Sequence, residues 1–217
     1  MVRPRILIAD DHILVVEALK RLLEPEYEVV GSASDGQELL DLAQQLKPDV
    51  ILVDIGLPVM DGLTAGHQLR QIVPQAKLLV VTLYDDLDIA GEAMRRWASG
   101  YLLKKSAATE LRKAIAEVLR GNRYVTPSVG RRLNDEFTRD PRIDRERTLT
   151  PRQREVLQLL AEGRTMRETA NLLHVTPRTV AFHKYRIMEE FGLKNNSELV
   201  LFAIKEHVIS TSRKQEP

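Results

Sequence analysis

Short apolar runs alternate with helix-length amphipathic segments over the first 121 residues. The five runs are Ile6–Ala9, Glu28–Val30, Val50–Val53, Lys77–Val81 and Tyr101–Leu103. Near-continuous apolar strands of this kind are typical of a parallel sheet that helices cover on both faces. Between the first two runs, Leu19, Leu22 and Leu23 would share one face of a helix. The pattern predicts a doubly wound, flavodoxin-like α/β domain with a five-stranded parallel sheet over residues 1–121.

The pattern changes after residue 121. Residues 122–147 are charged and nearly aperiodic, which predicts a linker with a short helical start at Val129–Leu133. Residues 148–217 carry helix signals and no strand signals. Four helices have start signals, at Thr150-Pro151, Thr165, Thr176-Pro177 and Ser197. We therefore expect a C-terminal all-α domain of four helices.

Composition narrows the class of protein. The chain has 217 residues and a hydrophobic fraction of 43%, enough to build packed cores. It contains no cysteine, which excludes disulfide scaffolds, thiolate metal sites and thiol catalysis. No apolar run approaches the roughly 18 residues of a membrane span, and the N-terminus does not resemble a signal peptide. We expect a cytoplasmic protein that does not associate with a membrane.

Charge is distributed unevenly along the chain. Residues 1–121 carry 14 basic and 18 acidic side chains, whereas residues 148–217 carry 11 basic and 8 acidic ones. An acidic first half and a basic second half suggest two domains with different partners, one of them nucleic acid. Chance variation of solvated faces explains the same numbers equally well.

Polar residues stand where the predicted strands end. They are Asp10 and Asp11 after the first strand, Asp54 after the third, Thr82 at the fourth and Lys104 at the fifth. The first and third strands are neighbours in a flavodoxin-like sheet, so their carboxylates would repel unless a cation such as Mg²⁺ lay among them. A carboxylate nucleophile, a cation, a hydroxyl and a lysine together form a phosphoryl-transfer site. Taken singly, each residue could instead be a helix cap, an ordinary strand residue or a solvated charge.

These residues, with the segment Val53–Gly62 and the segment Gly100–Lys104, resemble the receiver domain of two-component response regulators. The resemblance implies that Asp54 accepts a phosphoryl group from the phosphohistidine of a histidine kinase. It implies that Asp11, Asp54 and the Gly56 carbonyl bind Mg²⁺, with Asp10 acting through water. Lys104 and Thr82 would contact phosphoryl oxygens, and Tyr101 would change rotamer as the switch residue.

Trp97, the single tryptophan, stands where the family usually has a smaller residue. One interpretation places it beside the moving surface, so that its fluorescence responds to phosphorylation. The other is that it fills a gap in the core.

The segments Thr165–His174 and Thr176–Phe191 have helix-turn-helix spacing, in which the second helix enters the major groove of DNA. Val180, Ile187 and Phe191 form its apolar face, with His183 beside them as a structural residue. The opposite face carries side chains that suit phosphates and thymine methyl groups: Arg178, Ala181, Phe182, Tyr185 and Arg186. A four-helix bundle whose aromatic residues pack against the first domain is the alternative.

The segments Leu149–Leu157, Val175–Val180 and Phe191–Lys194 resemble the LuxR-type helix-turn-helix. With the receiver, this places the chain in the NarL/FixJ class of response regulators. The resemblance implies base contacts from Ala181, Phe182 and Tyr185. It implies phosphate contacts at or near Arg178, Thr179, Lys184, Lys194 and Asn195. The last helix, about Ser197–Lys205, would pair two DNA-bound modules.

The sequence thus predicts a DNA-binding transcription regulator, not an enzyme, that phosphorylation of Asp54 activates. A histidine kinase, double-stranded DNA and a second copy of the chain are its expected partners. A phosphatase or phosphomutase is one alternative, but those enzymes usually carry Asp-x-Asp after the first strand, where this chain has Asp10-Asp11-His12. A constitutive DNA-binding protein, whose receiver serves dimerisation or ligand sensing, is another.

Overall fold

The computed structural model describes residues 3–138 and 149–209, and only the backbone of residues 134–138. The chain divides into two compact units, residues 1–138 and 139–217. Within the described ranges, no helix combines the length and the apolar character that crossing a bilayer requires.

A parallel sheet forms the centre of the first unit. Its described strands are β1 (Arg5–Ala9), β2 (Glu28–Ala33), β3 (Val50–Val53), β4 (Lys77–Thr82), β5 (Gly100–Leu103) and β6 (Tyr124–Val125). They lie in the order β2-β1-β3-β4-β5-β6, and every pairing is parallel. All residues of β3 and β5 are buried because they lie inside the sheet. The flavodoxin-like, doubly wound prediction is confirmed.

Helices connect the strands and follow the last one. They are α1 (Ile13–Leu23), α2 (Gly36–Leu46), α3 (Gly62–Ile72), α4 (Leu87–Arg96), α5 (Ala107–Leu119) and α6 (Pro127–Thr138). Asp35, Asp61 and Asp86 cap the N-termini of α2, α3 and α4 by accepting hydrogen bonds from backbone N–H groups. On α1, Leu19 and Leu23 are buried as the periodicity predicts.

Two predictions about this unit need correction. The sheet of the described residues has six strands and not five, because Tyr124–Val125 pairs with β5. The predicted linker, 122–147, begins too early: residues 122–138 form β6 and α6, and Val129 and Leu133 of α6 are buried. A two-residue strand beside charged residues gives no periodic signal, so only its tertiary pairing reveals it. Residues 139–147 of the predicted linker lie outside the described residues.

The second unit is helical throughout its described range, 149–209. Its helices are α7 (Pro151–Ala161), α8 (Met166–Leu172), α9 (Pro177–Phe191) and α10 (Asn196–Lys205). Thr150 and Thr165 form capping boxes with Gln153 and Glu168, as their spacing predicts. Leu157, Ile187 and Leu199 bring three of the helices into one core. The predicted four-helix domain is confirmed for these residues.

The cap of α10 differs from the prediction. Asn195, not Ser197, caps this helix: its side chain accepts a 2.9 Å hydrogen bond from the backbone N–H of Glu198. Ser197 lies inside the first turn. Asn and Ser are both good N-caps, so the sequence does not select between them and the backbone conformation does.

Trp97 follows α4 and packs against α3. The indole is 5% exposed, and a Cβ atom added to Gly66 would lie 2.5 Å from its ring. The glycine is therefore required for this close approach of the two helices. The arrangement agrees with the interpretation that Trp97 fills the core.

Candidate functional site

The carboxyl ends of β1 and β3 bring two aspartates together. Ala9 pairs with Val53 across these strands, so the next residues, Asp10 and Asp54, lie side by side. Both are buried, at 4% and 5% exposure. Asp11 lies on the exposed side of the same group. The sheet register thus assembles the acidic site that the strand ends predict.

Lys104 bridges the two buried carboxylates. Its Nζ lies 2.7 Å from Asp10 Oδ2 and 2.8 Å from Asp54 Oδ2. Burial by itself lowers the pKa of Lys104, but the charge of Asp54 and the hydrogen bonds to Asp10 and Asp54 outweigh it and raise this pKa. The ammonium therefore stays protonated and offsets the repulsion between the two acids.

The acidic site has oxygen atoms suited to Mg²⁺. One ligand atom each from Asp10, Asp11, His12 and Asp54 lies within 4.8 Å of the others. Asp54 Oδ1 is buried and has no hydrogen-bond partner among the described residues. An orphaned carboxylate oxygen fits a hard cation, which prefers oxygen ligands. Gly56 borders the same space, since a Cβ atom there would lie 3.5 Å from Asp54 Oδ2.

His12 is a part of the site that the motif analysis did not assign. Its Nδ1 lies 2.6 Å from Asp11 Oδ1 and 3.3 Å from Asp10 Oδ1. The sequence position of His12, directly after Asp10 and Asp11, could have indicated that it belongs to the site. The imidazole thus holds Asp11 beside the buried aspartates.

Gly62 fixes the backbone of the aspartate at the centre of the site. A Cβ atom at Gly62 would lie 2.0 Å from the carbonyl oxygen of Asp54, which no side chain can tolerate. The N–H of Gly62 donates a 3.0 Å hydrogen bond to the carbonyl of Ile55. Glycine is therefore needed for α3 to begin directly against the end of β3.

Thr82 and the predicted switch residue, Tyr101, both form hydrogen bonds to Tyr84, in the loop between β4 and α4. Thr82 is fully buried, and its Oγ1 accepts a 3.3 Å hydrogen bond from the Tyr84 N–H. The Tyr101 hydroxyl donates a 2.8 Å hydrogen bond to the Tyr84 carbonyl. Burial, followed by the charges of Asp86, Asp85 and Asp54, raises the pKa of Tyr101 well above its ordinary value, so the hydroxyl remains a donor. Sequence reasoning missed Tyr84 because its backbone, not its side chain type, makes these contacts.

The same loop is tied to α6. Asp85 forms ion pairs with Arg132 of α6 at 2.6 Å and with Lys105 at 3.4 Å. Thr126, just before α6, accepts a 3.1 Å hydrogen bond at its Oγ1 from the N–H of Leu103, the neighbour of Lys104. Helix α6 and the residue before it therefore contact the loop after β4 and the end of β5, the two strands at whose ends Thr82 and Lys104 lie.

Helix α9 presents two different faces. Val180, His183 and Ile187 are buried, which confirms the predicted apolar face, while Phe191 is half-buried. Tyr185 is 59% exposed, with the Lys184 ammonium 5.2 Å from the centre of its ring. The Arg186 guanidinium lies 5.9 Å from the centre of the Phe182 ring. Cations thus lie beside two aromatic rings of α9.

The nine residues predicted to contact DNA differ in accessibility. Arg178, Ala181, Phe182 and Arg186 are half-buried, and Tyr185, Lys194 and Asn195 are exposed. Thr179 and Lys184 are buried, at 3% and 7% exposure. The Thr179 hydroxyl lies 3.0 Å from that of Thr176, and Asn195 caps α10. Thr179, Lys184 and Asn195 therefore also contribute to the packing or capping of the domain, whereas the other six residues are at least partly accessible.

Both units match known families. Residues 6–116 match the response regulator receiver domain, and residues 147–203 match the luxR family of bacterial regulatory proteins. The transcriptional regulatory protein DegU of Brevibacillus brevis is 34% identical, over 93% of this chain and 93% of its own. The oxygen regulatory protein NreC of Staphylococcus carnosus is 34% identical, over 94% of this chain and 99% of its own.

Solved structures agree with this assignment. The RcsB response regulator of Salmonella typhimurium is 28% identical with a TM-score of 0.60, covering 93% of this chain and 98% of its own. An RcsB–DNA complex is 27% identical with a TM-score of 0.60, over 92% of this chain and 97% of its own. The chain therefore belongs to the two-component response regulators of the NarL/FixJ class, transcription regulators that couple a phosphorylation-dependent receiver to a LuxR-type DNA-binding domain.

Proposed function

We propose that Asp54 is the phosphoacceptor of this regulator. The observation that carries the proposal is its buried carboxylate, with one oxygen bound to Lys104 and the other without a partner among the described residues. One Asp54 oxygen forms a bond to phosphorus while the bond from phosphorus to the imidazole nitrogen of a kinase phosphohistidine breaks. The nitrogen keeps the electron pair of that bond. Lys104 and Thr82 then offer an ammonium and a hydroxyl to the phosphoryl oxygens.

Asp10, Asp11, Asp54 and the carbonyl of Gly56 would hold Mg²⁺, with Asp10 acting through water. When bound, the ion neutralises charge that develops on the transferring phosphoryl group. His12 orients Asp11. Lys104 offsets the repulsion between the buried carboxylates of Asp10 and Asp54 when both are ionised. The positive charges of Lys104 and of the bound ion would therefore stabilise the negative charge of a phosphoryl group.

Magnesium is expected to stabilise the protein through Asp11. A ligand at about 100 times its Kd stabilises a fold by about 2.7 kcal/mol, so saturating Mg²⁺ should raise Tm measurably. Asp11→Asn removes one carboxylate ligand and should weaken Mg²⁺ binding roughly tenfold or more, as read from Tm across a Mg²⁺ titration. Asp41→Asn, on the exposed side of α2, is the matched control and should titrate like the parent. Equal titrations of all three proteins would contradict the site.

We infer that α9 and the segment that follows it contact DNA through accessible residues. Ala181, Phe182 and Tyr185 would meet base edges, and Arg178, Arg186 and Lys194 would meet phosphates. Thr179, Lys184 and Asn195 would act at the margin of that surface. Two copies of the chain, paired through α10 after phosphorylation, would occupy half-sites about one helical turn apart. We place this activity in the cytoplasm, where bacterial DNA and the kinase partner are accessible.

Helix α6 provides a route from the receiver site along the chain to the DNA-binding domain. It is the last described element of the first unit, and it packs against α4. Arg132 binds Asp85 in the loop that Thr82 and Tyr101 also hold. A shift of this loop on phosphorylation would therefore displace α6, a two-state coupling of the receiver to the rest of the chain.

Arg132→Ala is expected to reduce the stimulation of DNA binding by phosphorylation. Residues along a coupling route change the coupling free energy by about 0.5–2 kcal/mol, so stimulation should fall roughly 2- to 30-fold. Stability should change little, because exposed ion pairs contribute about 0–1 kcal/mol. The measurement is DNA affinity with and without acetyl phosphate. Arg131→Ala removes the same side chain from the neighbouring exposed position, and equal stimulation in both variants would refute the route.

A further inference from the structure

A basic cavity lies at the edge of the receiver opposite the acidic site. Lys77 begins β4 and Ser99 precedes β5, so the cavity borders the amino ends of strands whose other ends carry Thr82 and Lys104. Its volume is about 230 Å³. Five cations line it: Arg70, Lys77, Arg95, Arg96 and Arg123. Nothing in the phosphoryl-transfer reaction uses this cavity.

Local negative charge does not cancel these five cations. Glu92 pairs with Arg96 at 2.8 Å and lies 3.9 Å from Arg95. Glu117 accepts a 2.7 Å hydrogen bond from Asn122 of the lining. The C-termini of α3, α4 and α5 each contribute roughly half a negative charge. Five full positive charges exceed two carboxylates and three such helix ends, so the cavity retains a positive potential.

Some of the cations also serve the fold. Arg70 donates a 3.0 Å hydrogen bond to the carbonyl of Pro74, and Arg123 donates one to the carbonyl of Met94. These bonds satisfy backbone acceptors at the ends of helices, yet each guanidinium has five donors and keeps further N–H groups for a ligand. The hydrogen bonds also hold the two side chains in place, which reduces the entropy lost when an anion binds.

Trp97 also borders the cavity. Its side chain is 5% exposed, and its ring lies against Gly66 of α3. The indole is therefore close enough to the cavity to report a ligand bound there.

We propose that this cavity binds a small molecule that carries two adjacent phosphates. A diphosphate fits the volume, its charge is opposite in sign to that of the cavity, and its oxygens can accept from several guanidinium groups at once. The site is separate from Asp54, so its occupation requires neither Mg²⁺ nor phosphorylation. The ligand would join the ends of α3, α4 and α5 through charge-assisted hydrogen bonds.

The single tryptophan makes the proposal directly measurable in the full-length chain. Sodium pyrophosphate, added in EDTA without Mg²⁺, should change Trp97 emission along a saturable curve. Sodium sulfate at equal ionic strength should not reproduce that curve. Inorganic phosphate should bind more weakly than pyrophosphate, whereas ADP, which carries a diphosphate on a nucleoside, should bind only if the cavity admits the larger group. ADP binding would identify a nucleotide as the source, and pyrophosphate binding alone would identify a smaller diphosphate.

A charge-matched pair of variants decides the location. Arg70→Gln with Lys77→Gln should weaken pyrophosphate binding about tenfold or more, because two positive charges leave the cavity. Lys113→Gln with Arg131→Gln removes the same charge from exposed positions on α5 and α6 and should leave binding unchanged. Circular dichroism melting checks that both double variants fold. The proposal is overturned if the change in Trp97 emission does not saturate or if sulfate produces the same change. It is also overturned if phosphate binds as tightly as pyrophosphate, or if both double variants lose pyrophosphate binding equally.

Discussion

Asp54→Asn is expected to abolish phosphorylation of the chain by acetyl phosphate in the presence of Mg²⁺. The amide keeps the shape of the carboxyl group but removes the negatively charged oxygen that must attack phosphorus. Labelling should fall at least about 100-fold, to background, as measured by the mass of the intact protein. Stimulation of DNA binding by acetyl phosphate should disappear with it. The site contains other carboxylates, so the result also tests which one reacts.

Asp41→Asn is the control for this experiment, because it makes the same chemical change on the exposed side of α2. It should be labelled like the parent protein. Full labelling of the Asp54→Asn variant would move the phosphoacceptor to Asp10 or Asp11. Unstimulated but tight DNA binding by all three proteins, with or without acetyl phosphate, would instead remove the switch from the proposed function.

Tyr185→Ala is expected to lower the affinity of the phosphorylated protein for its specific DNA site. Tyr185 is the most exposed aromatic residue on α9, and Lys184 lies against its ring. Loss of a base contact costs about 1–3 kcal/mol, or roughly 5- to 150-fold in Kd. Affinity for scrambled DNA should change much less, since phosphate contacts supply nonspecific binding. Fluorescence anisotropy on a DNA site selected in vitro measures both affinities.

Arg186→Ala separates phosphate contacts from base contacts. It should weaken binding to specific and scrambled DNA alike and reduce the slope of log K against log salt by about 0.9. Arg154→Ala, at an exposed position on α7, is the matched control and should leave the salt slope unchanged. If Tyr185→Ala weakens both DNA sequences equally, Tyr185 does not read bases. If neither variant changes affinity, a different face of the domain binds DNA.

Most of the receiver site was predictable because its charged residues follow buried strands directly. Strands β1, β3, β4 and β5 are nearly continuous apolar runs, and parallel strands place their carboxyl ends at one edge. Asp10, Asp54 and Lys104 therefore meet where the sequence predicts. The length of the first domain could not be predicted from local periodicity. Its last elements, β6 and α6, are stabilised by their contacts with β5 and α4.

The contacts around the site divide in the same way. The predicted residues Thr82 and Tyr101 lie at strand positions. Their shared contact with the loop could not be predicted, because Tyr84 contributes its backbone N–H and carbonyl and not its side chain. Likewise the pairing of Asp85 with Arg132 spans 47 positions, and no local pattern connects two exposed charges at that distance along the chain. On α9 the periodicity identified the buried face, whereas the burial of Lys184 arises from packing within the domain.

The order of apolar and polar residues by itself determined the two fold classes, the caps Thr150 and Thr165, and the meeting of Asp10, Asp54 and Lys104 at one edge of the sheet. These properties depend on period, turn chemistry and strand ends, which are local. The tertiary structure decided the sixth strand, the tie between α6 and the loop before α4, and the basic cavity beside Trp97. Each of these depends on groups far apart in the chain, whose proximity arises only when the helices pack on the sheet.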